Sequence, residues 1–182
     1  MRILRSIPNQ ITLSRIAFVP LLMFLILHDS PVTRIVAMAL FLLAAISDAA
    51  DGYIARSLNQ TSLFGKFADP IADKLLIAAA LIAFVQLGEM SPWAVMLIIA
   101  REFLVTGLRI LAISEGLVIG ASILGKAKTF SHVALVLAIL VDRSFAPGPG
   151  WEILRTVLLA FALALSVVSG LEYFIRSRQL FT

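Results

Sequence analysis

The sequence predicts an all-α membrane protein that crosses the bilayer six times, with a short juxtamembrane helix ahead of the first span. Three observations carry that expectation. Of the 182 residues, 60% are hydrophobic, where soluble domains hold about 45–50%, and the mean hydropathy is +1.01. The apolar residues gather into six separate runs. The connectors between runs hold most of the charge and the turn-forming residues, as in Asp29-Ser30-Pro31 and Ala146-Pro147-Gly148-Pro149-Gly150, where proline and glycine block helix continuation. No repeat or low-complexity tract interrupts the chain, so residues 1–182 read as one membrane domain.

Within the first ten residues Ile3, Leu4 and Ile7 share a face while Arg2 and Arg5 lie elsewhere, which suits a short helix resting on an anionic inner leaflet. The first apolar run covers residues 16–27. Arg2 and Arg5 ahead of it resemble the start of a signal peptide, but no small-residue cleavage site follows His28 and further apolar runs do, so this N-terminus is expected to be kept. The remaining runs lie at about 35–47, 75–88, 92–100, 129–141 and 153–171. Most fall short of the roughly 20 residues a bilayer demands. Each helix must therefore extend into polar sequence at one end.

Laid up and down, the six helices put Arg15, Asp48, Asp51, Asp69, Asp73, Arg101, Arg109, Lys126 and Lys128 toward one membrane face. Of the 15 Lys and Arg, only Arg34, Arg143 and Arg155 fall on the other. The positive-inside rule makes the first face cytoplasmic, with both termini there. It also accounts for the net charge of +4 and the pI near 10.0 without a nucleic-acid partner. With no cysteine, a disulfide framework, a thiolate metal site and a cysteine nucleophile are all excluded.

Chemistry concentrates around the second and third helices. Asp48 and Asp51 are three apart at the end of one, and Asp69 and Asp73 four apart at the start of the next, so each pair shares a helical face. The connector, roughly residues 55–68, lets the two helices run antiparallel and bring the pairs together. An acid at mid-depth in a membrane costs on the order of 2.5–3.5 kcal/mol and is a functional signal by default. Four acids repel unless a cation joins them, and carboxylates without His or Cys select hard cations such as Mg²⁺, Mn²⁺ or Ca²⁺. Gly52 and Gly65 allow close backbone approach to a ligand, and Arg56 offers a planar fork for phosphate oxygens. His132, inside an apolar run, reads as a packed or helix-bonding histidine.

Residues 48–73, DAADGYIARSLNQTSLFGKFADPIAD, fit D-x2-D-G-x2-A-R-x8-G-x3-D-x3-D at all eight fixed positions. This resembles the signature of the CDP-alcohol phosphatidyltransferase family. The resemblance implies six helices, usually a homodimer, two divalent cations (Mg²⁺ or Mn²⁺) and a cytidine nucleotide site at the cytoplasmic face. It implies Asp48, Asp51 and Asp69 as metal ligands, Asp73 as ligand and general base, and Gly52, Ala55, Arg56 and Gly65 in the nucleotide site. Whether Asp73 takes a proton or only holds metal stays open, because a cation lowers the pKa of a bound carboxylate.

Four further segments, IPNQITLSRIAFVP, DPIADKLL, IAREFLVTGLR and LGKAKT, resemble the branch of that family whose acceptor is glycerol 3-phosphate, with CDP-diacylglycerol as donor. On that likeness Asn9, Thr12 and Arg15 lie near the nucleotide, and Arg101, Glu102, Arg109, Lys126 and Lys128 are candidates for the acceptor pocket. Cations beyond Arg56 suit an acceptor that brings its own phosphate. Inositol phosphate and phosphatidylglycerol, the latter as in a cardiolipin synthase, are the alternative acceptors. A divalent-metal transporter or a lipid-binding module is the alternative outside enzymes. Against transport, no acids line the opposite half of the helices.

Overall fold

The computed structural model describes residues 7–28, 30–58, 63–115, 120, 122–146 and 148–178, and within them the side chains of 16–28, 30–47 and those from 74 onward. The described chain forms α1 (Ile7–His28), α2 (Pro31–Leu58), α3 (Leu63–Gln86), α4 (Pro92–Ser114), α5 (Ile123–Phe145) and α6 (Pro149–Arg176). There is no strand among the described residues, as the sequence predicts.

Every helix is longer than its apolar run, at 22 to 28 residues. The run at 92–100, for example, continues through Arg101 and Arg109 to Ser114, which places Arg101 in the middle of α4 rather than at its end. The cause is that propensity resumes after the charges: LVTGLRILAIS offers one glycine and no proline to stop the helix. Of the expected N-terminal helix, residues 7–10 belong to α1 itself, and residues 1–6 lie outside the described residues.

Local chemistry sets the boundaries. α2, α4 and α6 each begin on a proline, whose missing N–H falls where a helix has no partner for one. Ser30 and Thr33 cap α2 reciprocally, the Thr33 amide donating to Ser30 Oγ at 3.2 Å and the Ser30 amide to Thr33 Oγ1 at 2.9 Å. Ser122 Oγ accepts the Gly125 amide at 2.9 Å to start α5. α3 ends where Gly88 turns left-handed at φ +75°, with the Glu89 amide donating to the Phe84 carbonyl at 2.9 Å and the Gly88 amide to Val85 at 3.0 Å.

The chain divides into two compact units, residues 1–89 with 140–146, and residues 90–139 with 147–182. In the first, α1 packs along α2 and α3, burying Leu22, Ala37, Phe41, Leu81 and Phe84 completely. One end of this unit is tied by charge: Arg143 donates to Glu89 at 2.5 Å, and Arg34 donates to the Arg143 carbonyl at 2.6 Å. In the second unit α4 packs on α6. There α6 buries small or polar residues, Ala162, Ser166, Ser169 and Tyr173, while Ile153, Val157, Phe161, Val168, Leu171 and Ile175 are exposed. An apolar face turned outward over a small, polar face turned inward is the inverse of a soluble helix and suits lipid. Among the described residues, α5 and α6 are long and apolar enough to cross a membrane; the apolar stretches 16–28, 31–47 and 74–86 are shorter.

Candidate active site

The backbone is helical at all eight fixed positions of the acidic motif. Asp48, Asp51, Gly52, Ala55 and Arg56 lie on the last turns of α2, and Gly65, Asp69 and Asp73 on the first turns of α3. Helical backbone preserves the spacing that puts Asp48 with Asp51, and Asp69 with Asp73, on one face each. Asn9, Thr12 and Arg15 lie on the first turns of α1. All of these belong to the first unit, and their side chains lie outside the described residues. Among the described residues no three His, Asp or Glu side chains gather as a metal group. The four carboxylates fit a hard divalent cation by their donor chemistry, oxygen only and carried pairwise by two helices.

Arg34 lies on the first turn of α2, and Asp48 and Asp51 lie in its second half, before its end at Leu58. Asp48 follows Arg34 by 14 residues, which at a rise of about 1.5 Å per residue is about 20 Å of helix. The first unit therefore carries the Arg34–Arg143–Glu89 tie at one end of α2 and the acid-bearing turns toward the other.

Side chains of the proposed acceptor pocket are described in the second unit. Arg101 and Lys128 converge on Glu102: Arg101 Nη1 donates to Glu102 Oε1 at 3.2 Å, and Lys128 Nζ donates to the same oxygen. Arg101, Glu102 and Lys128 side chains are only 10%, 15% and 7% exposed, so this is an interior ionic cluster rather than surface charge. Arg109 and Lys126, by contrast, are exposed.

Two further groups of this cluster come from α6. Arg101 Nη2 donates to Ser169 Oγ at 2.9 Å, and Ser166 Oγ meets His132 Nε2 at 2.9 Å. His132 is thus the helix-bonding histidine its apolar setting predicts. Sequence reasoning missed Ser166, Ser169 and the adjoining Gly170. The available signal was the recurrence of small residues at 162, 166 and 169 within an apolar run, the spacing of a single helix face.

Hydroxyls here return their protons to their own helices, the half-buried Thr106 to the Glu102 carbonyl and the buried Ser131 to the Lys128 carbonyl, each at 2.7 Å. Low dielectric makes such satisfaction necessary.

A model of the CDP-alcohol phosphatidyltransferase family matches residues 5–168. The chain belongs to that family. As a CDP-alcohol phosphatidyltransferase it is a transferase, and the match contains the whole of the 48–73 motif and the Arg101–Glu102–Lys128 cluster. Its relatives include a CDP-diacylglycerol–glycerol-3-phosphate 3-phosphatidyltransferase of Bacillus subtilis, 40% identical over 93% of both chains. An enzyme of the same name from Rickettsia bellii is 36% identical over the full length of both. A protein described as a probable phosphatidylglycerophosphate synthase of Mycobacterium tuberculosis is 37% identical over 94% of this chain and 81% of its own.

Proposed function

We propose that the chain is a phosphatidylglycerophosphate synthase, transferring the phosphatidyl group of CDP-diacylglycerol to glycerol 3-phosphate and releasing CMP in phospholipid biosynthesis. The observation that carries this reading is full-length similarity to enzymes named for that reaction, joined to an acidic motif complete at its eight positions.

In this reading Asp48, Asp51, Asp69 and Asp73 hold two divalent cations, Mg²⁺ or Mn²⁺, which supply charge neutralisation for the donor's pyrophosphate. Asn9, Thr12, Gly52, Ala55, Arg56 and Gly65 receive the cytidine nucleotide, Arg56 through a bidentate fork. Arg101, Arg109, Lys126 and Lys128 serve the acceptor's phosphate, directly or by holding one another in place. The primary hydroxyl of glycerol 3-phosphate forms an O–P bond to the phosphorus next to diacylglycerol. The bond from that phosphorus to the CMP oxygen breaks, CMP leaves with the bonding pair, and Asp73 accepts the hydroxyl proton.

The helices form one six-span domain over residues 1–182 in a bacterial-type cytoplasmic membrane, with both termini and the site on the cytoplasmic side and the chain acting as a homodimer. The charge bias of the connectors and the outward apolar face of α6 support membrane placement. Acyl chains then stay in lipid while CMP and the acceptor exchange with water.

The test is to incubate purified protein with CDP-diacylglycerol, Mg²⁺ or Mn²⁺ and glycerol 3-phosphate, and to follow CMP and lipid product. CMP release specific to glycerol 3-phosphate is expected. Release only with inositol phosphate or phosphatidylglycerol would reassign the acceptor. Absence of CMP with every acceptor would sink the reading.

A further inference from the structure

We propose that Glu102 is a positioning residue for the acceptor subsite, fixed by α6 through Arg101; this rests on the reading of Lys128 as a contact to the acceptor's phosphate. A single carboxylate oxygen, Glu102 Oε1, accepts from both Arg101 Nη1 and Lys128 Nζ. Lysine on its four-carbon stem has no fixed geometry of its own. The salt bridge to Glu102 supplies one, holding the α5 ammonium to α4.

Arg101 in turn is braced by α6. Its Nη2 donates to Ser169 Oγ at 2.9 Å, and that hydroxyl spends its own proton on the Leu165 carbonyl, leaving its lone pairs for the guanidinium. A Cβ at Gly170 would sit 3.2 Å from Arg101 Cγ and 3.6 Å from Nε, so the arginine stem lies flush on α6 where a side chain would crowd it. Arg101 Nε is buried there without a partner. Each outer nitrogen of the guanidinium is engaged inside the protein, and the third nitrogen faces helix. The geometry makes Arg101 a brace and Glu102 the link between that brace and Lys128.

This assignment predicts a sign that charge alone does not. Removing the Glu102 charge makes the cluster more positive, so simple electrostatics has Glu102→Gln tightening a phosphate ligand and lowering its KM. Positioning has the same variant loosening Lys128 and raising it.

The experiment measures KM for glycerol 3-phosphate and for CDP-diacylglycerol separately, on purified full-length protein, for Glu102→Gln, Ser169→Ala, Ser169→Thr and Lys128→Ala. Loss of a charge-assisted hydrogen bond is worth roughly tenfold in binding or more. Glu102→Gln is therefore expected to raise the glycerol 3-phosphate KM about tenfold and Ser169→Ala about threefold. Ser169→Thr, which keeps the hydroxyl, restores it, and the CDP-diacylglycerol KM stays put throughout.

A lowered or unchanged acceptor KM in Glu102→Gln would overturn the proposal. So would a parallel rise of both KM values in Glu102→Gln and Ser169→Ala, which would mark the cluster as a staple of the fold. If Lys128→Ala raises the acceptor KM but Glu102→Gln does not, positioning alone has failed. If Lys128→Ala leaves it unchanged in an active enzyme, the underlying assignment of Lys128 has failed.

Discussion

The two units differ in where they place their polar groups. In the first, the side chains described as fully buried, Leu22, Phe41 and Phe84 among them, are apolar, and charge is placed toward helix ends, Arg34 at the start of α2 and the motif aspartates on its last turns and the first turns of α3. In the second, Glu102, Lys128, His132, Ser166 and Ser169 are inside, and the large apolar side chains of α6 are outside. The first unit can be rigid through packing and carry its chemistry at an end. On the proposed reading the second has its chemistry built into the helix–helix contacts, so binding and stability would share the same side chains.

Metal removal is expected to have the largest effect and bears only on the first unit. Exhaustive chelation should stop CMP release completely, and Mg²⁺ or Mn²⁺ should restore it. Turnover that survives chelation would break the assignment of the four aspartates. Within the motif, Asp73→Asn should cut turnover by on the order of 10³-fold while nucleotide binding remains measurable, whereas Asp69→Asn should weaken both. Calorimetry with CDP decides between them. Equal binding losses would leave Asp73 without a separate role.

The same contrast explains what could be read in the chain before folding. Asp48 to Asp73 lie within one continuous segment, and helical periodicity alone shows which of them share a face. The all-helical architecture was legible for a similar reason, since apolar runs and proline-rich connectors are local signals. Arg101, Glu102 and Lys128 could be named as candidates, but not their arrangement. Lys128 is 26 residues from Glu102, and Ser169 is 68 from Arg101, and nothing local to either says that one carboxylate oxygen will take two cations. Helix ends were misjudged where charge was taken as a boundary: Arg101 and Arg109 keep α4 helical because arginine is a good helix former, and a partner for the buried Arg101 head is supplied from α6.

Stability measurements sharpen the comparison further. Phe84 is fully buried in the first unit, and its truncation to Ala removes contacts that the surrounding helices only partly refill. A loss of about 3 kcal/mol is expected, read as a lowered unfolding midpoint in detergent. Little change would mean that the α1–α3 interior is not what holds that unit together.

Ser166→Ala tests the second unit with the smallest expected effect. It removes the partner of His132 Nε2, a contact of 2.9 Å between α5 and α6. Hydrogen bonds between helices in a membrane contribute about 0.6 kcal/mol on average, because the separated helices also find partners. The midpoint should therefore fall by much less than for Phe84→Ala. If it does, the polar interior of the second unit contributes little to stability for its size, and its retention on three helices is better explained by the ligand it orients than by the fold. If Ser166→Ala destabilises as strongly as Phe84→Ala, the polar contacts themselves are the glue of α5 and α6, and any loss of acceptor binding in the neighbouring Ser169 variant has to be judged against a loosened bundle.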